Sequence, residues 1–422
     1  MYKKTTLKNG LRLITVPIES ANSVTVLILV GTGSKHETKD INGISHFLEH
    51  MFFKGTEKRP NTLNIAETLD RVGGEYNAFT SKEVTGFWAK VDKKHVDIAL
   101  DWISDMFLHS KFDEIEINRE KGVIVEELNM YLDTPTAYIG ELWEELLYGD
   151  TPAGWRILGT KENILNFDRE KITDYYKNHY SVENTIVCVS GGIDGNIESK
   201  LEEYFKDIKK GNAEPKLKIK EEQKEPEILI RNKKTDQTHF CLGVRAYNLF
   251  HPDKYALTLL SIILGGNMSS RLFIKVRERN GLAYHIHTVA DDATDAGYLV
   301  TQGGIDHKNL EKCVQLIVEE YKSFKENKID GQELQKAKDY LKGTTSLSLD
   351  SSDAQASFYT AQELLEGKIM TPEEKFKKID AITVEDIQRV ANDIFTPEKL
   401  NLAVLGPFEE KDSEKLKNLL KL

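Results

Sequence analysis

The sequence predicts an α+β protein of two similar domains, each a mainly antiparallel sheet packed with helices, joined by a charged linker. Three observations carry this. The chain has 422 residues, too many for one ordinary core, so two domains of about 200 residues are expected. Strand-like and helix-like runs come in blocks with hairpin-like neighbours, rather than in strict alternation. The order of elements in the first half recurs in the second, across a stretch of different character.

In the first half, residues 11–16 alternate before Pro17, and residues 23–30 are rich in valine and isoleucine, so both read as strands. A polar loop over 31–42 leads to a helix over about 43–53, ended by Lys54-Gly55-Thr56. Residues 62–72 read as a second helix stopped by Gly73-Gly74, and 75–91 as paired strands. Helices are expected over 94–108 and 113–132, the latter stopped before Pro135. A strand over 185–189 ends at Gly191-Gly192. Residues 209–227 are rich in lysine and glutamate, nearly free of large apolar residues, and hold Pro215 and Pro226. That is the composition of an exposed linker. The expected domains are therefore 1–210 and 227–422, with 211–226 between them. In the second half, a strand over 239–244 precedes a helix over about 253–264 and another after Gly265-Gly266. Strands over 284–288 and 298–303 follow, then helices. The closing strand, 400–405 before Gly406-Pro407, echoes 185–189.

Composition excludes several classes. Apolar residues make up 40% and charged residues 30% of the chain, and no apolar run approaches the roughly 18 residues of a membrane span. The start, Met1-Tyr2-Lys3-Lys4, has no apolar signal region, so a cytoplasmic protein is expected. Cys188, Cys241 and Cys313 are scattered and odd in number, which argues against a disulfide framework or a cysteine metal site. A net charge of −11 disfavours nucleic acid as a partner and is compatible with cationic ligands. The pairs Gly265-Gly266 and Gly303-Gly304 read as turns and match no nucleotide-binding fingerprint.

The chemistry lies in His46-Phe47-Leu48-Glu49-His50. On a helix, residues four apart project from one face, so the two imidazoles converge, and Glu49 shares that face. Two neutral imidazoles bind zinc well, and a carboxylate not needed as a ligand serves as a proton acceptor for an attacking water. Phe47, Leu48 and Met51-Phe52-Phe53 mark the helix as buried, where polar side chains need partners and a metal supplies one. A catalytic zinc of this type takes a third protein ligand. The glutamate-rich helix over 113–132 offers Glu127, with Glu120 two turns earlier on the same face, and Glu126 as a rival that points away from Glu120. Ordinary solvated glutamates are the alternative for all three.

The combination resembles the pitrilysin/insulinase family of zinc peptidases with an inverted H-x-x-E-H motif, closest to its half-length processing-peptidase branch. The resemblance runs through residues 43–56, Asn77-Ala78-Phe79-Thr80-Ser81 and residues 119–127. It implies zinc held by His46, His50 and Glu127, Glu49 as the base, and a supporting Glu120. It also implies substrate pairing along Asn77, Ala78, Phe79 and Thr80. The second half lacks the motif but carries Ser269-Ser270-Arg271-Leu272-Phe273, Arg277 and Gly281-Leu282-Ala283-Tyr284. There the resemblance implies an Arg277/Tyr284 pair that completes a catalytic site from another domain. Because this half-length chain carries both sets, the implied assembly is a homodimer with sites completed in trans, cutting unfolded and possibly basic peptides in a closed chamber. The competing readings are a non-catalytic scaffold of the same fold, as in respiratory-complex core subunits, and a catalytic subunit that needs a different partner chain.

Overall fold

The structure, a computed structural model, describes residues 2–211 and 215–422; residues 212–214 of the expected linker lie outside the described residues. The chain forms two compact units. The first comprises Met1–Asn129, Trp155–Leu217 and Leu347–Met370; the second comprises Met130–Gly154, Lys218–Ser346 and Thr371–Leu422.

The first unit is built on strands β1 (Lys3–Thr6), β2 (Arg12–Pro17), β3 (Ser23–Val30), β4 (Glu75–Thr80), β5 (Thr85–Asp92) and β6 (Thr185–Gly191), in the order β1-β2-β6-β3-β5-β4. The second is built on β7 (Glu227–Asn232), β8 (Thr238–Arg245), β9 (Ala283–Asp292), β10 (Gly297–Ile305) and β11 (Leu400–Gly406), in the order β7-β11-β8-β10-β9. The second order reproduces the first without β1. Each sheet is antiparallel except for one parallel pair, β2 with β6 and β7 with β11. In both units the last strand inserts between two earlier ones, β6 between β2 and β3 and β11 between β7 and β8, and this is the duplication that the recurring element order implies.

The central strands explain the architecture. β6 and β11 are buried at every residue, so their sheets are covered on both faces, as continuous apolar runs require. In each unit one cover comes from the other half of the sequence. Helix Pro135–Tyr148 lays Tyr138, Ile139, Leu142, Trp143 and Leu147 against Cys241, Val300, Ala403 and Leu405 in the second unit. Helix Ser352–Ala361 lays Ala356 and Tyr359 against Ile14, Val16, Leu27, Ile186 and Cys188 in the first. It is pinned there by Ser352 Oγ, 2.8 Å from Thr25 Oγ1.

Three details differ from the sequence reading. The units are discontinuous, because an apolar helix face does not declare which sheet it covers. The short strands β1 and β7 form without a strong apolar pattern, as each lies at an edge of its sheet. The segment expected as a helix after Gly265-Gly266 contains a π-helical stretch, Phe273–Glu278. The three cysteines are buried and unpaired. Among the described residues no helix is long and apolar enough to cross a membrane.

Candidate metal centre

The centre is assembled in the first unit on helix Ile44–Phe52, which is anchored at both ends. Ile44, Phe47, Leu48, Met51 and Phe52 are almost completely buried. The Phe52 ring sits among Phe87, Phe107, Phe112, Tyr176 and Tyr180, with centroids 4.7 to 5.9 Å away. At the N-terminus, Gly43 takes a left-handed φ of 101°, and a Cβ there would lie 2.5 Å from the Leu158 carbonyl oxygen. Glycine fits this position but has no side chain to cap the helix. The buried Glu37 supplies the cap: its carboxylate accepts from the Gly43 and Ser45 amides, each at 2.8 Å, and from Asn42 Nδ2 at 2.9 Å. A carboxylate at a helix N-terminus satisfies its free N–H groups and opposes the positive end of the dipole. Burial raises the Glu37 carboxyl above the usual range, and these donors only partly oppose it.

His46 and His50 project from this helix with ring centroids 4.6 Å apart. Helix Glu114–Asp133 brings Glu127 to them: Oε1 is 3.6 Å from His46 Nε2, and Oε2 is 3.3 Å from His50 Nε2. One ligand atom from each of the three residues lies within 4.8 Å of the others. Donors held tetrahedrally around zinc at roughly 2.1 Å stand about 3.4 Å apart, so the observed spacings suit a shared cation. The His46 contact is too long for a good hydrogen bond, and its buried Nδ1 has no hydrogen-bond partner. His46 is therefore not a satisfied core histidine. Glu126 is exposed and outside this convergent set.

Glu120, 2% exposed, lies behind His50. Its Oε1 is 2.9 Å from His50 Nδ1, and its Oε2 accepts from Lys54 Nζ at 2.6 Å. A carboxylate facing Nδ1 favours a proton there, so Nε2 is the nitrogen that would turn its lone pair to a cation once its own proton is lost. The electrostatics follow. Burial alone would lower His50, but the carboxylates of Glu120 and Glu127 outweigh it and raise the imidazole to about 9. His46 and His50 hold the Glu127 carboxyl well below the usual range. Burial raises Glu120, and His50 with Lys54 more than reverses that. These carboxylates attract positive charge, which a proton or a metal ion can supply.

Glu49, the residue before His50 on the same helix, is half-buried and accepts from Thr80 Oγ1 at 2.5 Å. Thr80 is the last residue of β4, whose far side carries no further strand of the sheet. Asn77 and Phe79 are exposed along β4, while Ala78 and Thr80 are half-buried. Arg277 and Tyr284 belong to the second unit. There the Arg277 guanidinium lies 4.9 Å from the ring centre of Tyr284, which is 80% exposed, and 4.7 Å from that of Phe273. Sequence reasoning missed Lys54 and Glu37. The signal for Lys54 was a lysine directly after a buried apolar run; Glu37, in a polar loop, gave none.

Known proteins match this chain along nearly its whole length. The family model "Insulinase (Peptidase family M16)" matches residues 12–161, and "Peptidase M16 inactive domain" matches residues 166–341. The uncharacterized zinc protease YmxG of Bacillus subtilis is 38% identical over 96% of this chain and 98% of its own. An uncharacterized zinc protease of Streptomyces coelicolor is 31% identical over 98% and 91%. The crystal structure of a protease from Helicobacter pylori superposes with a TM-score of 0.90 at 25% identity, covering 96% of this chain and 99% of that one.

Proposed function

The chain belongs to the insulinase family, peptidase family M16, whose members are zinc-dependent, and from that premise we propose that it is a zinc endopeptidase acting on unfolded peptides. The observation that carries this reading is the convergence of His46, His50 and Glu127, with Glu49 carried on the same helix as the two histidines. In this reading those three residues hold the ion, with Glu120 and Lys54 fixing the orientation and tautomer of His50. Bound zinc supplies Lewis acidity, lowering the pKa of a water and polarising the scissile carbonyl. Glu49 accepts the proton of the attacking water and returns it to the leaving amine. The peptide lies extended along the free edge of β4, where main-chain groups of Asn77 to Thr80 pair with it as an added strand. Such pairing reads conformation more than sequence, so unfolded chains are favoured, and the net charge of −11 favours basic ones. Arg277 and Tyr284 donate hydrogen bonds to the carbonyl oxygen as it gains negative charge. They do so from a second copy of the chain in a homodimer.

The test is Glu49→Gln. It should keep zinc and lower peptide hydrolysis by about 10²- to 10⁴-fold; wild-type turnover would end the reading. Sharing in trans is tested by mixing Glu49→Gln with Tyr284→Phe chains, since hybrid dimers should regain one working site. No recovery in proven hybrids would restrict each site to a single chain.

A further inference from the structure

We infer that Thr80 is a positioning residue that couples occupancy of the β4 edge to the orientation of Glu49. The inference rests on the peptidase reading and deepens it. Three observations meet at this hydroxyl. Thr80 Oγ1 donates to Glu49 Oε2 at 2.5 Å, a short charge-assisted bond to a half-buried carboxylate. Thr80 closes β4, where it pairs with Thr85 of β5, and the next residue is tied across the hairpin by Ser81 N to Val84 O at 2.8 Å. Thr85 Oγ1 in turn donates to the Thr32 carbonyl at 2.8 Å, so the inner side of this corner is fixed and its outer side is a free strand edge.

A carboxylate on a helix retains side-chain freedom that one hydroxyl can remove. With Oε2 held by Thr80, the other oxygen is left for the proton transferred from water. A peptide that adds a strand to β4 restrains the backbone carrying Thr80, and therefore Glu49. Ligand atoms come from other residues, so the hydroxyl serves the base rather than the metal site.

The experiment compares Thr80→Val, which keeps the shape and removes the hydroxyl, with Thr80→Ser, which keeps the hydroxyl. Zinc content, unfolding temperature, kcat and KM are measured on an extended unfolded peptide. Thr80→Val should hold one zinc and lower kcat by about 10- to 100-fold, with KM changed by less than about threefold. Thr80→Ser should recover most of kcat. If Thr80→Val folds poorly, Thr80→Ala provides the same comparison against Thr80→Ser. Wild-type kcat in Thr80→Val, or equal losses in the valine and serine variants, would overturn the inference. A wild-type chain that cleaves no peptide would instead overturn the peptidase reading.

Discussion

The two units follow the same succession of strands and helices, yet among the described residues only the first brings three potential metal ligands together. After β3 the first unit has helix Ile44–Phe52, with His46, Glu49 and His50. After β8 the second has helix Lys254–Gly265, which buries Leu257, Leu259, Leu260, Ile263 and Leu264. At this place the fold asks only for a buried apolar helix. Histidine is therefore not a structural requirement there, and the polar cluster of the first unit carries a cost that an apolar helix avoids. The supports differ in the same sense. The motif helix is capped by the buried carboxylate of Glu37 and backed by Glu120 and Lys54, whereas Asp253 at the head of the second helix makes no side-chain capping bond. The two free edges also differ: β4 ends on a hydrogen bond from Thr80 to Glu49, and β9 opens with Ala283 and Tyr284, with Arg277 lying over the tyrosine ring.

The contrast can be broken most forcefully from the apolar side. Leu260→His places an imidazole where Leu260 is 0% exposed. It should cost about 3–5 kcal/mol in denaturant unfolding without adding a zinc site. A loss below about 1 kcal/mol would mean that this helix position accepts histidine as plain structure. Acid sharpens the comparison next. The loop leading to the motif helix carries His36, which burial, then His179 and Lys216, hold down to about 4. Its folded pKa lies below the ordinary value of 6.5, so the neutral form is the one that folding favours. That contribution is present above pH 6.5 and is lost as pH falls toward 4. The wild type should lose about 2 kcal/mol more than His36→Gln over that window. Parallel stability curves would place His36 in water. A smaller effect tests the support of the proposed metal ligands. Lys54→Met leaves Glu120 buried without its cation and should weaken zinc binding about 10- to 100-fold; unchanged affinity would make Lys54 a bystander.

Much of this was legible in the sequence for physical reasons. β3 was readable to the residue because an eight-residue segment with six valine, isoleucine and leucine residues, buried on both faces, has no other comfortable setting. The motif helix was readable because His46 and His50 make sense together only at helical spacing. Glu127 against Glu126 was not settled by periodicity, since both sit on one glutamate-rich helix; the resemblance named Glu127, whose carboxylate lies near His46 and His50 while Glu126 is exposed. The helix exchange was not legible. Trp143 and Tyr359 announce apolar faces, but the surfaces they cover lie far away in sequence, on β8, β10 and β11 for one and on β2, β3 and β6 for the other. Glu37 was hidden because a capping carboxylate borrowed from a loop follows no local pattern.

The central claim is that one copy of a duplicated fold was given a metal site and the other was not. It is tested most directly by calorimetric zinc titration of the metal-stripped chain beside His46→Leu. The account predicts one zinc per wild-type chain and none in the variant. Two zinc ions per chain, or one that survives in His46→Leu, would contradict it.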